Sequence, residues 1–344
     1  MATRCSKPRC RCCAACGLAS CQRPTLSPHS TLARASPLTA VTTGRDDRWV
    51  GVVLVVIGAT MLASKGIFAK FLYARGVTPE TVVAVRSVLA YPGFVAIALA
   101  TGGFAGLRHV PAPLIIKAAS AGFVCYYVGA GINFYALSLI DASVERALLF
   151  AYPALLVVYF WVFRGRRPGW KTLLATAATY IGIALTVGAF RPSVLEANAF
   201  GALLVLGCAC TMVYYMLATA AAMTVMTSAQ LNVVAMGAAA ASFAVHYQVT
   251  TGWQHVTMDS SAWAWMAGLI LVATVLPLYA VAEGVRRIGP QRAAIASTVG
   301  PVATTLMAFT LLGERIGGDQ LLGIALIVLG ILVVELRRQR PATP

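Results

Sequence analysis

Residues 50–73 read VGVVLVVIGATMLASKGIFAKFLY, an apolar run interrupted by charge only at Lys65 and Lys70. A helix needs about 20 apolar residues to cross a bilayer, and this run is long enough. Further runs bounded by charge, glycine or proline lie near 80–99, 113–137, 142–163, 171–189, 198–218, 229–248, 262–282, 291–312 and 320–336. Of 344 residues, 59% are hydrophobic and only 11% charged, against about 25% charged in soluble domains. Mean hydropathy is +0.79. The chain lacks the polar surface of a water-soluble globule, which excludes most soluble enzymes. The expected fold class is an all-α integral membrane protein with ten transmembrane helices.

The formal charge of +16 comes from 27 basic and 11 acidic residues. These charges sit at the ends of apolar runs and not on one soluble face, so no nucleic-acid partner is expected. An even number of spans puts both termini on one side. With the N-terminus inside, the inner segments hold twenty basic residues and the outer loops hold Lys70, Arg75, Arg146, Arg191 and Arg315. The excess on the inner side places both termini in the cytoplasm by the positive-inside rule. Lys65 and Arg86 fall inside spans and belong to neither count.

A shift of 148 residues aligns Ile140 onward with Ile288 onward without gaps. Pro153 meets Pro301, Gly165 meets Gly313, Arg167 meets Arg315, Gly169 meets Gly317 and Gly182 meets Gly330. Residues 49–190 then form a first repeat of five helices and 197–337 a second, with 338–344 a cytoplasmic tail. An odd number of helices per repeat makes the two halves insert in opposite senses. Inverted repeats of this kind place a binding site between the halves, near the bilayer midplane.

Residues 1–48 differ in composition. They hold Cys5, Cys10, Cys12, Cys13, Cys16 and Cys21, many Arg and Ser, and no acid before Asp46. A disordered basic extension, left by a start codon assigned too far upstream, is the plain reading. A targeting segment and a metal or redox site seeded by Cys13 and Cys16 are the others. Cys125, Cys208 and Cys210 lie in spans and read as small packing residues.

Certain local motifs are more specific. Ala293-Ala294-Ile295-Ala296-Ser297-Thr298-Val299-Gly300-Pro301, Leu312-Gly313-Glu314-Arg315, Gln320-Leu321-Leu322-Gly323 and Gly330 resemble the second EamA domain of the drug/metabolite transporter superfamily. Ser143-Val144-Glu145-Arg146-Ala147-Leu148-Leu149-Phe150-Ala151-Tyr152-Pro153 resembles the matching part of the first. Lys65-Gly66-Ile67-Phe68-Ala69-Lys70 and Arg86 also fit one bacterial branch. The resemblance covers about 50–336. It implies a ten-helix inverted-repeat permease moving small metabolites, often outward, in a bacterial cytoplasmic membrane. One departure stands out: the first repeat has Arg164-Gly165-Arg166-Arg167 where the second has Leu312-Gly313-Glu314-Arg315. Small multidrug exporters of the superfamily carry a Glu in helix one. Lys65 and Lys70 stand here instead, which argues against organic-cation/proton antiport.

Intramembrane charge is the strongest pointer to a site. Counting 1.5 Å per residue puts Lys65 about 10 Å below the outer end of helix one, with Arg86 at similar depth and Glu145 opening helix four on the same side. A central Lys or Arg costs about 2.5–3.5 kcal/mol on insertion scales, so such groups face a cavity or a partner. Lys65 and Arg86 either bind an anionic or carboxylate-bearing substrate, or snorkel outward or pair with Glu145. Glu145 is the candidate for proton coupling, although Arg146 beside it favours the ionised form. Glu283 reads as an interfacial ion pair near Arg286 and Arg287. Asn133, Tyr135, Tyr214, Tyr215 and Tyr279 are cavity candidates, with anchoring or packing as the alternative. Pro153 and Pro301 are candidate hinges or plain packing elements.

The four histidines form no close ligand set, no Walker A sequence occurs, and no catalytic residue, metal site or cofactor is expected. The leading expectation is therefore a secondary transporter, exporting an amino acid-like or anionic solute by alternating access. Its partners are a small-molecule substrate and the lipid bilayer, with proton coupling open and a monomer or homodimer as the assembly. Import or exchange of phosphorylated or sugar metabolites is the runner-up. A membrane-embedded enzyme would need a His or acidic cluster, and a sensor or scaffold would need a folded soluble domain.

Overall fold

The computed structural model of the protein describes residues 45–104, 106–165, 167–187, 192–288, 293 and 296–338. All the cysteines of the N-terminal tail lie outside the described residues, so the three readings of that tail do too. Among the described residues the structure is helical, with no strand. The helices in chain order are α1 (Arg45–Ala63), α2 (Lys65–Tyr73), α3 (Pro79–Ala100), α4 (Ala112–Gly122), α5 (Ala130–Leu139), α6 (Ala142–Leu149) and α7 (Tyr152–Arg164). They continue as α8 (Trp170–Val187), α9 (Pro192–Ala222), α10 (Ser228–Thr250), α11 (Ser260–Ile270), α12 (Leu276–Ile288), α13 (Val299–Met307) and α14 (Gly318–Arg338). Among the described residues, seven helices are long and apolar enough to cross a membrane: Trp49–Tyr73, Pro79–Ala100, Ala112–Leu139, Ala142–Arg164, Asn198–Ala220, Ser228–Thr250 and Ser260–Val285. Val299–Leu312 and Gly318–Gly330 are apolar but shorter.

Local chemistry explains the ends of these helices. The Thr78 hydroxyl accepts from the Thr81 amide, and Pro79 opens α3 where no amide hydrogen is needed. Thr227 and Gln230 satisfy each other's backbone in a capping box that starts α10. The Asp259 carboxylate accepts from the Ala262 amide at 2.8 Å to start α11. Gly165 and Gly313 terminate their helices at φ 62° and 67°, the left-handed region where a Cβ is penalised.

Several spans are interrupted, and the interruptions position the site. Ser64 breaks the first span between α1 and α2, its hydroxyl turned onto the Met61 carbonyl at 2.6 Å. The Ala63 carbonyl beside this break accepts from the Thr304 hydroxyl of α13 at 3.1 Å. In a lipid environment such a polar group needs an internal partner, and α13 supplies it. π-helical turns over Phe123–Gly129 and Leu271–Val275 widen the spans that contain α4–α5 and α11–α12. Turn residues Phe150 and Ala151 separate α6 from α7, just before Pro153. Pro301 lies near the start of α13, after a turn at Thr298.

α8 packs along α14, α1 along α12, and α3 along α10, while α9 lies against α4 and α5. Small residues set the closest approaches: a Cβ on Gly182 would stand 2.6 Å from the Gly323 carbonyl oxygen. Bulky apolar side chains such as Phe163, Leu203 and Val249 face outward instead, the reverse of a water-soluble surface. Between such helices there is no hydrophobic effect to exploit, so close packing and hydrogen bonds hold them together.

Candidate substrate cavity

The break at Ser64 starts α2 on Lys65 and turns its side chain inward, leaving it 14% exposed. There its Nζ donates to Asn133 Oδ1 at 2.5 Å and to Glu145 Oε1 at 3.2 Å. Asn133 Nδ2 donates to the same carboxylate oxygen at 2.6 Å. The triangle joins α2, α5 and α6, and Glu145 within it is only 1% exposed. The Phe134 ring lies beneath two cations, with Lys65 Nζ 5.4 Å and the Arg86 guanidinium carbon 4.9 Å from its centre. Tyr73 donates its hydroxyl to the Phe134 carbonyl at 2.8 Å and steadies that ring's backbone. Arg146, one residue beyond Glu145, turns the other way and lies 4.9 Å above the Phe150 ring.

Lys65, Arg86 and Arg146 line one cavity of about 280 Å³, just below the roughly 300–1,000 Å³ of ligand pockets. Both halves of the sequence build it. The first half supplies all three cations, with Ser87, Tyr126 and Tyr152. The second half supplies Met212, Met236, Thr274 and Leu278. Two of the three described π-helical turns present residues to this space, Cys125 and Tyr126 from one and Ala273 and Thr274 from another, while the third, Ala308–Leu312, lies away from it. Such turns occur disproportionately at functional sites because the extra residue re-aims side chains inward.

Away from the cavity, the Glu314 carboxylate accepts from the Ala142 amide at 2.8 Å, the Ser143 amide at 3.3 Å and the Ser143 hydroxyl at 2.8 Å. It caps α6, a role the N-cap residue Asp141 leaves open because its own side chain makes no capping bond. Asp141 lies between two spans. Desolvation first, and the Glu314 carboxylate second, push its pKa up, with Lys70 opposing.

The EamA-like transporter family model matches residues 49–188 and again 199–336. The chain belongs to the EamA-like transporter family. It is similar to the uncharacterized transporter YcbK of Bacillus subtilis (strain 168), 30% identical over 299 residues that cover 84% of this chain and 93% of that one. An uncharacterized transporter of Archaeoglobus fulgidus is 32% identical over 72 residues, 21% of this chain and 27% of its own. A solved crystal structure with a TM-score of 0.56 and 21% identity covers 86% of this chain and 99% of its own, which shows a shared fold. Family and helices together make this a multi-pass membrane transporter.

In this EamA-like transporter the structure brings together four of the sequence candidates: Lys65, Arg86, Asn133 and Glu145. Lys65 both pairs with Glu145 and faces the cavity. The four candidate tyrosines lie elsewhere, Tyr215 edge-on to the ring of Tyr126. Tyr135 and Tyr279 are half exposed on the outer faces of their helices, and Tyr214 is exposed and bonded to Ser120 at 3.0 Å. None of them lines the cavity, whereas Tyr126 and Tyr152 do. Glu283 bonds Arg287 one turn along at 2.8 Å, the ion pair expected of it. Pro153 and Pro301 sit beside helix breaks, as described above.

Arg146 is the residue that sequence reasoning misplaces. The charge count assigns it to an outer loop, yet it falls inside the run 142–163 and reaches the cavity. That position is the available signal. Glu314 is visible in the sequence only as half of the mismatch between the two repeats.

Proposed function

We propose that the chain is a secondary transporter that moves a small metabolite by alternating access, one five-helix repeat rocking against an inverted second one. Local features recurring at the 148-residue spacing support this architecture. π-helical turns begin at both Phe123 and Leu271, left-handed glycines fall at Gly165 and Gly313, and turns at Phe150 and Thr298, whereas the π-helical turn Ala308–Leu312 has no counterpart in the first repeat. The full architecture has ten spans in a bacterial cytoplasmic membrane, with both termini cytoplasmic, as the charge asymmetry suggests.

The cavity carries the functional reading: it lies among helices of both halves and presents Lys65, Arg86 and Arg146. Buried cations of this kind are expensive unless they serve a ligand or pathway. The cargo is an amino acid-like or anionic solute, exported from the cytoplasm. Glu145, bonded to Lys65 and Asn133, is the candidate carrier if transport is proton-coupled. A phosphorylated metabolite, imported or exchanged, is the second reading, favoured by the same cations.

Metabolite profiling of cells with and without the gene, followed by flux in proteoliposomes, tests the proposal. The expected result is an expression-dependent change in one solute class and protein-dependent flux of it. Lys65→Met should abolish that flux at normal membrane abundance. A Lys65→Met protein that transports normally removes Lys65 from the site.

A further inference from the structure

The charges on the cavity wall do not cancel, and the imbalance selects among cargo classes. Lys65 is neutralised within the protein by Glu145, at 3.2 Å. Arg86 and Arg146 have no carboxylate partner among the described residues, and the buried Nε of each lacks a hydrogen-bond acceptor. The Ser87 hydroxyl on the same wall is also buried and unpartnered. The Ser87 hydroxyl can donate or accept, and what the two guanidinium donors of this wall lack is acceptors. A buried donor left without one costs about 1–3 kcal/mol, and more when it is charged.

Nothing on the wall meets the opposite need. Among the described residues no Asp or Glu lines the cavity. Glu145 stands outside the lining, with Oε1 committed to Lys65 and Asn133 and Oε2 buried without a hydrogen-bond partner, behind the cavity wall. Phe134 and Phe150, which could receive a ligand ammonium on their faces, already lie under the protein's own cations. A zwitterion entering here would leave its ammonium unpaired beside two uncompensated positive charges.

We infer that the cargo is a compact organic anion without an ammonium group, its acidic oxygens held by Arg86 and Arg146. Lys65 sets the shape and depth of the site and is not the principal anion ligand. Two unbalanced guanidinium groups favour two negative charges over one. The apolar wall of Phe94, Met212, Met236 and Leu278 takes the carbon skeleton. This inference rests on the cavity being the cargo site, and it narrows the choice between amino acid-like and anionic solutes to the latter.

The test uses the purified full chain and a size-matched series: succinate, butyrate, 4-aminobutyrate and butyramide. Binding is measured by calorimetry in buffer free of other carboxylates, and competition against flux is measured in proteoliposomes. The expected order of affinity is succinate, then butyrate, with 4-aminobutyrate and butyramide at least about tenfold weaker. Truncating a buried, hydrogen-bonded charge costs well over tenfold in binding, so Arg86→Gln and Arg146→Gln should each lose succinate by that factor. Arg86→Lys and Arg146→Lys should retain part of it. Should the Gln variants fail to fold, the ligand series on the unmodified protein still decides. Binding of 4-aminobutyrate as tight as butyrate, or no binding by either anion, overturns the inference. Protein-dependent flux restricted to zwitterions overturns it as well but leaves the transporter reading intact. Absence of any flux or expression-dependent solute change strikes the transporter reading itself.

Discussion

Lys65 is held at the cavity wall by side chains from helices distant in sequence, and its partner Glu145 is almost wholly buried. Removing one member of such a pair strands the other charge, at a cost of about 3–5 kcal/mol. Glu145→Gln should therefore lower the melting temperature in detergent sharply. The Lys65→Met/Glu145→Gln double variant should regain most of that loss while remaining inactive in transport. An additive double variant would mean that the pair is not coupled. Asp141 presents the opposite electrostatic case. Its folded-state pKa is raised, by desolvation and then by Glu314, so the ionised form subtracts stability at neutral pH. That penalty fades as pH falls through the folded pKa. Asp141→Asn should melt higher than the parent at about pH 7.5, with the advantage shrinking toward about pH 4. A constant difference across that range would refute the assignment.

Among the helices, the contact between Glu314 and α6 joins the two halves of the chain, because a carboxylate from 313–317 completes a helix start at Ala142 and Ser143. Losing a cap costs about 0.5–2 kcal/mol, and an added Ala cannot accept these bonds. Glu314→Ala should lower the stability by that amount, read as a reduced melting temperature, and loosen amide protection at Ala142 and Ser143 in hydrogen exchange. Unchanged protection there would show that water or another group caps α6. The corresponding residue of the first repeat is Arg166, a cation that cannot accept these bonds. The two repeats share glycine turns and helix breaks, and the chemistry of Glu314 and Arg166 differs in the one respect this cap depends on.

At the scale of the molecule, the cavity is chemically lopsided: one half contributes the cations and the other mostly sulfur and hydrocarbon. Reporter fusions at both ends test the proposed topology, and each should read as cytoplasmic; one end outside would overturn it. The long apolar runs, their spacing and the repeat were legible without coordinates, because lipid forces composition to declare itself residue by residue. Lys65, Arg86 and Glu145 were legible for the same reason, since charge inside a span is costly unless a cavity or a partner receives it. Tyr135, Tyr214 and Tyr279 were not, because an aromatic residue fits a lipid face, an interface or a cavity equally well. Arg146 was lost at a helix end, where a shift of one turn separates an outer loop from a cavity wall. Sequence by itself therefore determined that this is a multi-span, two-repeat membrane protein with charge buried near one end. Only the tertiary structure decided which charges cancel, because neutralisation depends on distances of a few ångströms between helices far apart in the chain. Those distances pair Lys65 with Glu145 and leave Arg86 and Arg146 without a carboxylate partner among the described residues.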